Sequence, residues 1–211
     1  MNIPPSILFE IVCLLASLSL FFQKNTPIHL KLFPIFLLIT IGIEVTGIIL
    51  RLEGKSNILL YNLFGVFSVI FYLYFIKSII HNRIVKRVIL ASIIIYPLLV
   101  FLNIQFVQVN SFHSITYSLG CLLIVFACVY YFYELFQLKQ YINLLREPSF
   151  WICSALLFFF TCTLPFIGMT NFLFKVSKVI AYNLGSILAI INFLLYSLFT
   201  IAFLCRIRFS K

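Results

Sequence analysis

Two glutamates stand inside long apolar runs of this sequence, Glu10 within Ile3–Phe22 and Glu44 within Leu32–Leu50. A carboxylate accepts hydrogen bonds, attracts a cation or carries a proton. Holding one at mid-bilayer costs roughly 2.5–3.5 kcal/mol on insertion scales, so such a residue needs a partner or a purpose. Tyr61, Asn62, His113, Tyr117, Tyr182 and Asn183 lie at a comparable depth in other runs. With Glu10 and Glu44 they form the candidate ligand-binding set. The chemistry expected of them is recognition of a small ligand or ion by charge and hydrogen bonding. The structural alternative for each glutamate is a neutral or hydrogen-bonded carboxyl that only ties helices together.

Residue types for bond-making chemistry are sparse. The sequence has no HExxH, no GxGxxG, no phosphate-binding loop of the GxxxxGK[ST] kind and no aspartate at all. His113 and Ser114 are neighbours in sequence, which does not give a nucleophile its base. Lys178 lies at the edge of the last apolar run, so a central Schiff-base lysine is lacking there. Cys13, Cys121, Cys128, Cys153, Cys162 and Cys205 sit within or at the ends of apolar runs without CxxC spacing, and read as small packing residues. No enzyme activity, metal site or cofactor is expected.

Seven apolar runs must position the polar residues: Ile3–Phe22, Leu32–Leu50, Ile58–Ile80, Val88–Phe106, His113–Phe136, Phe150–Gly168 and Val179–Cys205. Each approaches the ~20 residues that cross a ~30 Å hydrocarbon core. Hydrophobic residues make up 64% of the chain and charged residues 9%, too little polar surface for a soluble domain. Runs such as 35–43 do not alternate, which excludes barrel strands and leaves helices. The predicted fold is an all-α, polytopic membrane protein, a seven-transmembrane helix bundle over residues 1–211 as one domain. It divides naturally into 1–80, a linker helix 88–106, and 113–211, with Tyr61-Asn62-Leu63 and Tyr182-Asn183-Leu184 at matching places in the two halves. Pro34, Pro97 and Pro165 are read as kinks or helix ends, with 165–168 the best candidate for a broken end.

Charge supplies the orientation. The net charge of +10 would suggest nucleic acid in a soluble protein, but here it follows from topology, and no nucleic-acid partner is expected. With the N-terminus out and the C-terminus in, the cytoplasmic connections and tail hold Lys24, Lys31, Lys77, Arg83, Lys86, Arg87, Lys139, Arg146, Arg206, Arg208 and Lys211. The outer loops hold only Arg51, Lys55, Lys175 and Lys178. That bias obeys the positive-inside rule and points to the cytoplasmic (inner) membrane. Residues 1–6 lack a basic n-region, so the first run is expected to remain as an anchor. Arg83, Lys86 and Arg87 are candidates for contact with anionic lipid or a cytoplasmic partner. Glu134 is expected to pair with Lys77 or with that basic cluster.

Helical spacing groups the polar residues into stripes: Ser6, Glu10, Cys13 and Ser17; Thr40, Glu44 and Gly47; Tyr61, Gly65, Ser68 and Tyr72; Ser92, Tyr96 and Asn103; Ser154, Thr161, Pro165 and Gly168; Tyr182, Gly185, Ala189, Asn192 and Tyr196. They should face the bundle interior, and small residues among them permit close packing. Glu10 and Glu44 each lie about six residues from the outer end, roughly 9 Å deep at ~1.5 Å per residue. A polar pocket opening outward is the expected consequence.

Phe33-Pro34, Glu44, Tyr61-Asn62, Ser118-Leu119-Gly120, the 131–135 stretch, Phe150-Trp151 and the 164–168 stretch give the chain a resemblance to small seven-span membrane proteins of Bacteroidota. That group is similar to the seven-helix membrane modules of sensor kinases. The resemblance implies a sensory or accessory membrane role, exercised through a separate signalling partner because this chain carries no kinase domain. It implies no particular ligand. The alternatives are a small-molecule or ion transporter of 3+1+3 helix type and a scaffold subunit of a membrane complex. An outward bias of polar residues favours the sensor, because a transporter must open to both sides.

Overall fold

A computed structural model describes residues 5–22, 26–108, 111–137, 143–168 and 178–208, with side chains at 7–22, 26–108, 111–137, 143–167 and 185–205. The described residues form helices α1 (Pro5–Phe22), α2 (Ile28–Lys31), α3 (Phe33–Leu52), α4 (Ile58–Ile79), α5 (Arg83–Phe106), α6 (Ser114–Phe136), α7 (Pro148–Gly168) and α8 (Lys178–Arg208), with one 3₁₀ turn at Leu144–Arg146 and no strand. Six of the apolar helices are long enough to cross a membrane, α2 and α3 acting as one, and α1 is a shorter seventh. The chain is a multi-pass helical membrane protein.

Local chemistry sets the helix ends. Pro34 occupies the first turn of α3, where a missing N–H costs nothing. Gly54, with φ of 71°, ends α3 in a left-handed residue. Its N–H bonds to the Arg51 carbonyl (3.1 Å) and the Lys55 N–H to the Leu50 carbonyl (2.8 Å), so two orphan carbonyls are satisfied. Asn82 caps α5, its Oδ1 accepting from the Ile84 and Val85 N–H groups. Pro97 and Pro165 both lie within helices; α7 continues through Pro165 to Gly168 instead of breaking before it.

Six helices close into a ring. α1 packs on α3 and α8, α8 on α7, α7 on α6, α6 on α4, and α4 on α3. α5 packs outside that ring against α4 and α6. Leu8, Leu15, Leu38, Leu59, Ile94, Leu98, Phe101 and Phe126 project from the bundle, as lipid-facing residues must. Inside, Phe33 is fully buried and meets Phe71, Phe75, Phe199 and Phe203 at ring-centroid distances of 5.1–5.6 Å, all edge-to-face. Phe36 stacks on Phe71 at 4.1 Å. This aromatic block packs α3 against α4 and α8, and at the same end of the bundle a cavity opens among Pro27, Leu30, Ile79, Leu135 and Ser149. The opposite half of the axis is open as well.

Candidate functional site

In that opposite half lies a cavity of about 260 Å³, walled by every helix of the ring. Glu10 comes from α1; Phe36, Thr40 and Glu44 from α3; Phe64, Ser68 and Tyr72 from α4; Tyr117 from α6; Phe159 and Phe160 from α7; and Gly185, Leu188, Ala189, Asn192, Leu195 and Tyr196 from α8. α5 contributes nothing among the described residues, in keeping with its place outside the ring. The stripes at three- and four-residue spacing on α3, α4 and α8 are the ones that converge here.

Glu10 is 3% exposed, and its Oε2 has no hydrogen-bond partner. Tyr196 shares the cavity wall with Glu10. Glu44 is half-buried and accepts from the Tyr61 hydroxyl at 3.3 Å. Both carboxyls line the one cavity. Gly47 makes the Tyr61 contact available: a Cβ there would stand 2.5 Å from the Tyr61 hydroxyl. The phenol lies across the glycine and reaches the carboxylate one turn away. Two hydroxyls on the wall spend their protons on their own helices. Thr40 Oγ1 donates to the Phe36 carbonyl and Ser68 Oγ to the Gly65 carbonyl, each at 3.0 Å. What they present to the cavity is lone pairs. The described wall thus combines acceptors and aromatic rings with the donors of Asn192, Tyr72 and Tyr117. It carries no Lys, Arg or His among the described residues.

Asn62 and His113 do not line the cavity. They form a separate clamp that ties the α5–α6 connection to α4. Asn62 Nδ2 donates to the Ser111 carbonyl (3.1 Å), and Asn62 Oδ1 accepts from the His113 N–H (3.2 Å). His113 Nε2 meets the Asn62 carbonyl at 3.0 Å, and Nδ1 meets Thr116 Oγ1 at 3.2 Å. A carbonyl only accepts, so Nε2 carries the ring proton. Asn103 extends the network to Gln108 (2.8 Å) and Thr116 (3.2 Å), and Gln108 Nε2 donates to Ser114 (3.0 Å). The physical reason these residues leave the predicted pocket is that their polar atoms are engaged with one another. Gly65 joins the two regions, because its missing side chain admits both Tyr117 and the His113 ring. The side chains of Tyr182 and Asn183, in the first turns of α8, lie outside the described residues.

Thr40, Ser68, Tyr72, Asn192 and Tyr196 line the cavity although only their stripes, not the residues themselves, point to the site in sequence. At the other end of the bundle, Glu134 departs from its expected ion pair. It accepts from the backbone N–H groups of His81 and Asn82, both at 2.8 Å, and its side chain lies 3.7 Å from His81 Nδ1. No contact with Lys77, Arg83, Lys86 or Arg87 forms among the described ion pairs. Orphan donors just ahead of a helix offer a carboxylate fixed geometry and a favourable dipole, which long flexible lysines and arginines do not. Arg83 and Arg87 are exposed and Lys86 half-buried, in the first turns of α5. Among the described residues no group of His, Cys, Asp and Glu is arranged to hold a metal.

No protein-family model, curated protein or solved structure matches this chain.

Proposed function

We propose that this chain is a receptor-like sensory module of the cytoplasmic membrane, in which the Glu10–Glu44 cavity takes up a small ligand and the bundle passes the resulting shift to a separate partner. The observation that carries the reading is the Glu10 carboxyl oxygen, buried at the cavity wall without a donor. Leaving a buried acceptor unsatisfied costs about 1–3 kcal/mol, and more for a charge, so an arrangement of this kind persists where a ligand supplies the missing partner. The reading assigns the cavity to recognition, with no chemical step.

The position of the cavity along the bundle supports a sensor. Glu10, early in α1, and Glu44, in the half of α3 nearer the α3–α4 turn, line the cavity, and the Phe33–Phe75 contact lies nearer the other end. The lysine and arginine bias supports seven spans with the N-terminus out, so the ligand would enter from outside. The likeness to membrane modules of sensor kinases agrees with this direction. Arg83, Lys86 and Arg87 support contact with acidic headgroups or an acidic partner, because cations in the first turns of a helix work against its dipole and do not serve α5 itself.

The transporter reading has one observation of its own. α5 lies outside the ring, where a linker helix joining 1–80 to 113–211 belongs, and the two triplets α1–α3–α4 and α6–α7–α8 each occupy a contiguous arc. One experiment separates the readings. Protein reconstituted in liposomes is loaded with a ligand of the cavity, and uptake is followed beside hydrogen exchange at the α4–α5 connection. A sensor shows altered exchange there without uptake, and Glu10→Gln with Glu44→Gln abolishes the change. Saturable uptake overturns the sensor in favour of the transporter. An impermeant amine reagent that labels Lys86 in intact cells would overturn the orientation.

A further inference from the structure

The cavity that carries the proposed function also specifies what it holds, and the inference rests on that reading. We infer that its ligand class is a small protonated amine, bound with its ammonium group between Glu10 and Glu44 and its carbon chain against the aromatic walls.

Three features combine to this end. The first is hydrogen-bond polarity. Thr40 and Ser68 have given their protons to backbone carbonyls, and the Tyr61 phenol donates to Glu44. Glu10 Oε2 is a buried acceptor with nothing donating to it. The free acceptor at Glu10 selects a ligand that donates, and an ammonium offers three N–H groups without accepting any. The second is charge. Two carboxyls on α1 and α3 face one space with no cation among its described lining residues. A cation between the two carboxyls would supply a counter-charge inside the cavity, whereas an anionic ligand would meet like charge.

The third is the shape and material of the wall. The volume of about 260 Å³ lies below the ~300–1,000 Å³ of drug-sized sites, yet far exceeds the ~10–15 Å³ that one bound water needs. A bare metal ion would leave most of that space unfilled. Phe64, Tyr72, Tyr117, Phe159 and Phe160 offer ring faces and edges, which attract a cation and cover a short hydrocarbon chain. Tyr72 and Phe160 hold each other edge-to-face at 5.7 Å, so this part of the wall is preformed.

The test is calorimetric titration of the full chain in lipid nanodiscs with four probes: n-butylammonium, n-butanol, butyrate and calcium chloride. The expected result is saturable binding of n-butylammonium alone. Glu10→Gln should weaken it at least about thirty-fold, the loss that follows when a buried charge loses its partner. Phe64→Leu should weaken it roughly three- to ten-fold through the lost cation–π contact. Glu134→Gln, at the far end of the bundle, should leave it unchanged. Gel filtration and thermal unfolding confirm that each variant is folded, and Glu44→Gln replaces Glu10→Gln if the latter is not. Saturable binding of n-butanol, butyrate or calcium with n-butylammonium silent overturns the amine and leaves the ligand-binding cavity standing. Silence of all four probes with the folded wild type overturns both.

Discussion

The Asn62–His113 clamp and the Glu10–Glu44 cavity are built from similar residues at the same end of the bundle, yet their hydrogen bonding is opposite. In the clamp, the Asn62 amide and both His113 ring nitrogens have partners at 3.0–3.2 Å. In the cavity, a buried carboxyl oxygen has none, and two wall hydroxyls point their protons elsewhere. Clamp atoms stabilise the fold because each would lose a partner if the chain opened. Cavity atoms are held in place by the fold at some cost to it. In these two regions polar residues divide by whether the protein alone satisfies them. Tyr96 and Ser118, whose buried hydroxyls also have no partner among the described residues but lie off the cavity, show that the cavity and its second carboxyl are needed as well to mark the site.

The largest expected effect breaks the clamp. Asn62→Ala leaves the Ser111 carbonyl and the His113 N–H without partners and should destabilise the protein by about 2–4 kcal/mol, read by thermal or denaturant unfolding in detergent. Next comes the hinge between glycine and phenol. Gly47→Ala places a methyl against the Tyr61 hydroxyl, and should cost about 1–2 kcal/mol while displacing that hydroxyl from Glu44. An unchanged Tyr61 environment in the variant would show that the glycine does not hold the contact open.

The cavity should respond with the opposite sign. Glu10→Leu removes the unsatisfied oxygen and should raise stability by about 1 kcal/mol while eliminating ligand response, the exchange of stability for function expected of a binding site. The smallest effects test the far end. Glu134→Gln should cost about 1 kcal/mol through weaker bonds to the His81 and Asn82 backbone, whereas Lys77→Gln should change stability by less than about 0.5 kcal/mol. Equal effects from the two would restore the ion pair that the geometry replaces.

Hydropathy made the helices legible, because lipid imposes one continuous apolar run per crossing. Glu10 and Glu44 stood out for the same reason, being carboxylates within such runs. The stripes on α3, α4 and α8 also carried the right faces, since helical periodicity relates Thr40 to Glu44 and Ser68 to Tyr72 within one helix. Periodicity does not say which helix a face meets. Asn62 reaches partners about fifty positions away in the chain, and nothing in its local sequence distinguishes that clamp from a place in the cavity. Glu134 escaped for a related reason. Its partners are backbone N–H groups, which every residue carries and no motif advertises. The exclusion of α5 from the cavity follows from ring closure, although its Ser92–Tyr96–Asn103 stripe resembles the others. That stripe serves α6, with Tyr96 lying over Gly120 and Asn103 bonded to Thr116.

One measurement crosses both regions: the melting temperature of wild type, Asn62→Ala and Glu10→Gln, each with and without n-butylammonium. A ligand that binds only the folded state stabilises it by about 2.7 kcal/mol at a hundred times its Kd. Asn62→Ala should start lower but gain as much from the amine as wild type does. Glu10→Gln should start no lower than wild type and gain nothing. A clamp variant that loses the ligand shift, or a Glu10 variant that keeps it, would contradict the division of the bundle into a satisfied clamp and a ligand-seeking cavity.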